Sequence, residues 1–472
     1  MALVPPSQLA FPLAVSCAGT VVVWIVAAFF LRNIDRGALV ASVAVTAFFL
    51  FGHVRDAFNL TSESLFWPWL LGLLGVVALA GWKRKEYSQL TRASNAVGIL
   101  LVAFPLLTSL YSTLTMSSNP VVQGPNAKPT TVSRPDIFYI ILDGYGRSDA
   151  LQRTFGYSNA GFIEGLEKRG FSIADSATTN YVQTELSLSS SLNLKYLQTL
   201  LPNLNPASAE RRPIDQAIDK NAAAKRLKAL GYSYIGVTSG FPFVRFDSAA
   251  LSLGENEGSK LLWTSLLSLT PISPESLPGE SAFVVRRRHI HTALQNLAEL
   301  ARPSGAPKFV VAHILAPHPP FVFGPNGEER RPRATFTYAD GNHFRTQSGT
   351  AEDYKIGYTG QITYLNKLVL KTLDDMLAVA KKDTIIVLQG DHGSKLNLNQ
   401  DDLKMTDLNE VLPILMAIRA PFANRLPKAM SPVNVFRFIF ANAFGDDLAT
   451  LPRHSYYSTW EHPFDFQEVT PR

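Results

Sequence analysis

The sequence predicts an α/β domain with a largely parallel sheet between helices, preceded by a set of membrane-crossing helices. Three observations lead there. Hydrophobic residues make up 46% of the 472-residue chain against 17% charged, and the apolar excess sits in the first 115 residues. Beyond residue 136, short β-rich runs alternate with helical patterns, which is how strands buried on both faces read. Several of those strands stop on acidic or imidazole residues, at the sheet edge where ligands collect in such folds.

The N-terminal part comes first. Four apolar stretches, at 11–31, 38–54, 65–82 and 96–114, define a transmembrane region over residues 1–115. Crossing the hydrocarbon core takes about 20 apolar residues. The second stretch is short, and nears that length only by including His53 and Val54. The first is too long for a cleaved signal peptide and no basic region precedes it. Arg32 and Arg36 separate the first two stretches, and Lys83, Arg84, Lys85 and Arg92 the last two, while the middle loop holds Arg55 beside Asp56. Excess Lys and Arg marks the cytoplasmic side. The chain is therefore expected to begin outside, cross four times, and place everything after residue 114 outside the cytoplasmic membrane. The apolar runs carry almost no charge, which argues against a transporter. Residues 116–135 have a linker's composition, and 136–472 are expected to form one extracytoplasmic domain.

Within that domain, strands are expected at 136–142, 232–238, 308–315, 384–390 and 413–419, and helices at 162–170, 214–231, 289–301 and 353–382. Gly170 and Gly231 fall where helix C-caps belong. The net charge of +6 is spread along the chain, so no nucleic-acid-binding element is indicated. The one cysteine, Cys17, excludes an internal disulfide and a cysteine-based zinc site.

Three strand ends carry candidate chemistry. The first stops at Asp143 in "ILDGYG"; a later one runs into "HILAPHPPF", with His313 and His318; another ends at Asp391 and His392 in "GDHG". Two carboxylates and an imidazole are ligand types that suit zinc or manganese, with magnesium also admitted. Each residue also has an ordinary use in a turn or cap; their convergence on one sheet edge is what points to a metal. A nucleophile is expected at Thr184, where "NYVQTELSLSSSLN" passes from extended chain into a helix whose free N–H groups favour an anionic oxygen. An N-cap role for Thr184, and Ser187 or Ser189 as nucleophile, stay open. His313 reads as a core histidine, and His343 in "YADGNHFR" as a loop residue that could bind phosphate. Lys395 could neutralise a transferring phosphoryl group. The run at 260–269 and Arg286, Arg287 and Arg288 read either as membrane-surface contacts or as a packed surface helix.

In the order "ILDGYG", "NYVQTELSLSSSLN", "GDHG", these segments resemble the alkaline phosphatase/sulfatase superfamily, and most closely its membrane-anchored branch of lipoteichoic acid synthases and phosphoethanolamine transferases. The resemblance covers residues 135–421. It implies one divalent metal held by Asp143, Thr184, Asp391 and His392, with Thr184 as nucleophile. It places His318 in substrate binding, and Asn180 is assigned with it to the non-bridging oxygens. Three departures stand. The chain lacks the C/S-x-P-x-R pattern that sulfatases convert to formylglycine, it has no disulfides, and it has Asp143 where the transferases usually carry Glu. The implied protein is a membrane-anchored phosphoryl-headgroup transferase or phosphoester hydrolase, acting on a phospholipid or an envelope glycopolymer. The alternative is a catalytically silent scaffold of the same fold.

Overall fold

The computed structural model describes residues 6–58, 60–82, 134–254, 266–267, 269–272, 281–331 and 336–470. The chain divides into two units: Leu3–Asn119 with Glu257–Gly279, and Pro120–Asn256 with Glu280–Arg472, the latter joined by Met1–Ala2. The second unit takes in the 136–472 segment set apart in the sequence, apart from Glu257–Gly279.

In the helical unit, α1 (Pro6–Leu31), α2 (Ile34–Ala57) and α3 (Ser62–Trp82) cover the first three apolar stretches. Segments Leu13–Leu31 and Ile34–Arg55 are long and apolar enough to cross a membrane. The second stretch is longer than its apolar core, because the helix runs on through Asp35 and Arg36 at one end and Arg55 at the other. Leu13, Val22, Ile25, Phe29 and Phe30 on α1 are exposed, so apolar side chains face outward. In the same unit the Gly52 amide donates to the Leu269 carbonyl at 2.9 Å, which ties the inserted segment to α2. The fourth apolar stretch, and the 116–135 linker except its last two residues, lie outside the described residues.

The α/β unit is built on a seven-stranded sheet, in the order β2-β7-β6-β1-β5-β3-β4. The strands are β1 (Ile137–Leu142), β2 (Ser172–Ile173), β3 (Ser233–Val237), β4 (Leu251–Leu253), β5 (Lys308–Ile314), β6 (Ile385–Gly390) and β7 (Met416–Arg419). Central β1 pairs in parallel with β5 and β6, while β7 runs antiparallel to both β6 and β2. A separate hairpin joins β8 (Ser455–Tyr457) and β9 (Gln467–Val469). Every residue of β1, β5 and β6 is buried. That demands helices on both faces.

Alternation along β1 divides the core. Ile137, Tyr139 and Ile141 face one cluster, which includes Leu186, Leu188 and Leu192 from α4 (Thr184–Asn193) and Phe436 and Phe440 from α7 (Pro432–Phe444). Phe138, Ile140 and Leu142 face the other, with Leu294 of α5 (Ala282–Leu300) and Leu365 of α6 (Ala351–Val379). Helix α6 begins at a capping box, in which Thr350 and Asp353 each bond the other's backbone N–H. The single helix expected at 214–231 is two, Arg212–Asp219 and Ala222–Ala229, because the Asn221 side chain accepts from the Ala224 amide and caps a new start.

Candidate metal centre and active site

The parallel strands deliver their C-terminal residues to one edge. Asp143 follows β1, and Asp391 and His392 follow neighbouring β6. All three are fully buried, and their ligand atoms lie within 4.8 Å of one another. Gly390 and Gly393 make this turn possible. A Cβ on Gly390 would lie 2.3 Å from the Tyr145 carbonyl oxygen, and one on Gly393 2.2 Å from that of Glu410. Any side chain at either position would push the ligand pair out of place.

Hydrogen bonds fix each donor atom. The Gly144 amide donates to Asp391 Oδ1 at 2.9 Å, and the Asp391 carbonyl accepts from Ser187 at 2.7 Å and from Thr179. His392 Nδ1 donates to the Gly393 carbonyl at 2.8 Å, so Nε2 presents a lone pair. That lone pair lies 3.4 Å from Asp143 Oδ1 and 3.3 Å from Asp391 Oδ2. Both of these carboxylate oxygens are buried with no hydrogen-bond partner. Three acceptors facing one another in a dry site repel, and a cation among them removes the conflict. The residues present therefore fit a divalent metal ion.

The electrostatics carry the same signature. Burial, with the Asp391 charge second, pushes the Asp143 carboxyl up to about 7, and burial holds His392 well below the ordinary histidine range. Burial also lowers His313 to about 4, so it is neutral. His313 is in the core as expected, but it is more than packing. Its Nε2 lies 3.1 Å from Asp143 Oδ2, and its Nδ1 is 2.7 Å from the Ser239 hydroxyl. The relay Ser239–His313–Asp143 orients the carboxylate, as outer partners of metal ligands do.

Thr184 opens α4, and its Oγ1 lies 3.1 Å from His392 Nε2 and 3.4 Å from Asp143 Oδ2. The preceding residue, Gln183, does not cap the helix with its side chain. Its carboxamide donates to Ser458 and Thr459 and accepts from Arg211. Among the described residues, the first-turn N–H groups of α4 are thus left without a side-chain acceptor beside the acidic cluster. Of the other nucleophile candidates, Ser187 is occupied by the Asp391 carbonyl, and buried Ser189 has no partner among the described residues.

The expected substrate-binding residues divide. The His318 amide donates to the Asp143 carbonyl at 3.0 Å, and its Nε2 lies 3.4 Å from buried Asp340, which sequence reasoning missed. Asn180 has both ends of its carboxamide engaged within the domain. Its amide nitrogen donates to the His454 carbonyl and Tyr196, and its oxygen accepts from the Val433 amide. This carboxamide is spent on scaffolding. His343 pairs with Asp401 at 3.3 Å and has no contact with the four clustered residues among those described. The arginine run reads as packing, since Arg286 and Arg287 are buried, Arg286 donates to the Leu315 carbonyl, and Arg287 pairs with Glu329. Residues 260–265 and 268 lie outside the described residues.

A parallel-centred sheet with this buried cluster beside a helix-opening threonine defines a domain of the alkaline phosphatase type. The family model for sulfatases matches residues 135–411, more than half of the chain, and the chain belongs to that family. No curated protein matches the sequence. Among solved structures, the C-terminal periplasmic domain of EptC from Escherichia coli in complex with zinc is similar at 12% identity, covering 73% of this chain and 95% of that one, with a TM-score of 0.46. The integral membrane lipooligosaccharide phosphoethanolamine transferase A from Neisseria meningitidis is 12% identical, covering 88% and 84%, with a TM-score of 0.41. The phosphonate monoester hydrolase of Agrobacterium radiobacter is 16% identical, covering 69% and 80%, with a TM-score of 0.42.

Proposed function

We propose that this chain is a membrane-anchored, metal-dependent phosphoryl-headgroup transferase or phosphoester hydrolase, working outside the cytoplasmic membrane through Thr184. The observation that carries this reading is the position of Thr184 Oγ1, 3.1 Å from His392 Nε2 and 3.4 Å from Asp143 Oδ2 at the start of an uncapped helix. Asp143, Asp391 and His392 would hold the metal, with Thr184 beside them. When bound, the cation supplies the positive charge that makes a threonine alkoxide accessible and offsets charge on phosphoryl oxygens.

The protein's own groups do the rest. Thr184 passes its proton to Asp143 Oδ2 as its oxygen bonds to phosphorus and the bond to the leaving oxygen breaks, and that proton then goes to the departing oxygen. The free N–H groups of α4 face the charge that develops. His318, braced by Asp340, holds non-bridging oxygens. An acceptor hydroxyl or water then attacks the phospho-threonine and restores Thr184. The substrate class is a phosphodiester of a membrane phospholipid or an envelope glycopolymer, and zinc or manganese suits the ligand set. Sulfate ester hydrolysis is not proposed, because the chain lacks the pattern from which formylglycine is made.

The test is mass spectrometry of the protein after exposure to phospholipid vesicles. The expected result is a phosphoryl-linked adduct on Thr184, and turnover at least about a thousandfold lower in Thr184→Ala with metal retained. Full turnover in that variant would exclude the mechanism.

A further inference from the structure

Just past the metal ligands sits a buried cation that the mechanism above does not use. Lys395 is only 5% exposed, and among the described residues no hydrogen bond or ion pair engages its ammonium group. It stands three residues past His392, on the loop that leaves β6 at the edge where the cluster lies. A buried, unpaired ammonium is costly, and such charges are normally paired.

The surrounding loop is built to hold Lys395 in place. Its amide donates to the hydroxyl of buried Tyr354 on α6, and its carbonyl accepts from the Leu398 amide. Around it, Glu410 takes four hydrogen bonds, from the Ser394 hydroxyl at 2.8 Å, the Leu396 amide at 2.7 Å, and the Asn397 amide and side chain at 3.0 and 2.8 Å. One carboxylate thus fixes the residues on both sides of Lys395, while the ammonium itself has no acceptor among the described residues. Fixing a backbone so thoroughly while leaving the charge unmet is the pattern of a site that awaits an anion.

We propose that Lys395 is a substrate-binding residue that pairs with a non-bridging oxygen of the phosphoryl group attacked by Thr184, and that Glu410 is the positioning residue for its loop. This rests on the phosphoryl-transfer reading and deepens it, since a fixed positive charge selects a substrate that is anionic at phosphorus over a neutral ester. The shared chemistry is the phosphodiester itself, whichever lipid or polymer carries it.

The test uses the full chain loaded with its most activating divalent metal. Inorganic phosphate is titrated, and read as a rise in thermal midpoint and as inhibition of bis(p-nitrophenyl) phosphate hydrolysis. Lys395→Met is expected to weaken phosphate inhibition about 10- to 100-fold, the range for a lost charged hydrogen bond. Without phosphate its midpoint should equal or exceed the parent's, because an unpaired buried charge has gone. Lys395→Arg should stay within about threefold of the parent, and Glu410→Gln should weaken phosphate binding although the lysine is intact. Vesicles of phosphatidylethanolamine and of phosphatidylglycerol, offered separately, tell a zwitterionic from an anionic donor; with either, Lys395→Met should lose turnover alike.

Phosphate inhibition unchanged in Lys395→Met, with an active parent, overturns the lysine assignment alone. A midpoint that falls in Lys395→Met without phosphate makes the lysine structural and overturns it too. Unchanged binding in Glu410→Gln removes the positioning role. A metal-loaded parent that neither binds phosphate nor hydrolyses the diester overturns the phosphoryl-transfer reading, and this proposal with it.

Discussion

Asp136 and Asp143 stand at the two ends of β1, both fully buried, with six apolar residues between them. Asp136 is answered by the protein. Its Oδ1 accepts from the Lys308 amide at 2.7 Å, and the Lys381 ammonium lies 3.7 Å from the other oxygen. Asp143 is not answered in this way. Each residue has one oxygen without a hydrogen-bond partner, but the one on Asp136 faces the Lys381 ammonium, whereas the one on Asp143 faces the lone-pair side of an imidazole with a second carboxylate beside it. Burial is the same at both ends, so burial does not single out Asp143 as the candidate ligand. Unmet charge does.

The strongest way to break this contrast is to remove the unanswered carboxylate. Asp143→Asn is expected to cut turnover at least about a thousandfold and bound metal from about one per chain to under a tenth, by rate and elemental analysis. An active, metal-loaded variant would put Asp143 on the same footing as Asp136.

Next in size is the pH dependence of the metal-free protein. Burial raises the Asp143 carboxyl in the folded chain from its ordinary 3.8 to about 7. Its folded form therefore favours the proton. The stability it contributes is fully present below about pH 4 and lost as pH rises to about 7. Measured against Asp143→Asn, metal-free parent should lose on the order of a few kcal/mol across that window, and adding metal at pH 7 should restore it. Parallel denaturation curves for the two proteins from pH 4 to pH 7 would refute this.

Smaller effects belong to the answered end. Asp136→Ala leaves the buried Lys308 amide without its acceptor and should cost about 1–3 kcal/mol of stability, with kcat within about twofold of the parent. Lys381→Met removes only a long, partly exposed ion pair, so less than about 1 kcal/mol is expected by chemical denaturation. A loss of activity in either variant would show that the two ends of the strand are coupled.

Much of this was legible in the sequence, for a physical reason. Strands buried on both faces appear as unbroken apolar runs, and β1, β3, β5 and β6 fall within one residue of their expected bounds. β7 starts at Met416 rather than 413, because Pro413 and Ile414 lie in two isolated bridges, to Thr178 and Gly146, before the strand proper. Edge strands have no such run. β4, with Leu251 and Ser252 exposed, and two-residue β2 gave no pattern to read. Asp143, Asp391, His392 and Thr184 could be picked out as candidates because each lies at the end or start of an element, and the fold brings them together. Asp340 and Ser239 were not, since what singles them out is a partner more than twenty residues away in the chain. Asn180 shows the same limit: from sequence, a polar residue four positions before Thr184 looks the same whether its amide faces substrate or scaffold.

The scaffold that occupies Asn180 also sets the order of assembly. The Tyr456 amide donates to the Asn180 carbonyl, Ser455 donates to the Thr179 carbonyl, and Gln183 reaches Ser458 across 275 positions of sequence. The stretch leading into Thr184 is therefore completed by a segment made some 275 residues later. A chain cut off between His392 and Ser455 would hold both carboxylates and the imidazole, yet lack the contacts that close around Thr179, Asn180 and Gln183. Making the cluster residues is not enough to finish their surroundings.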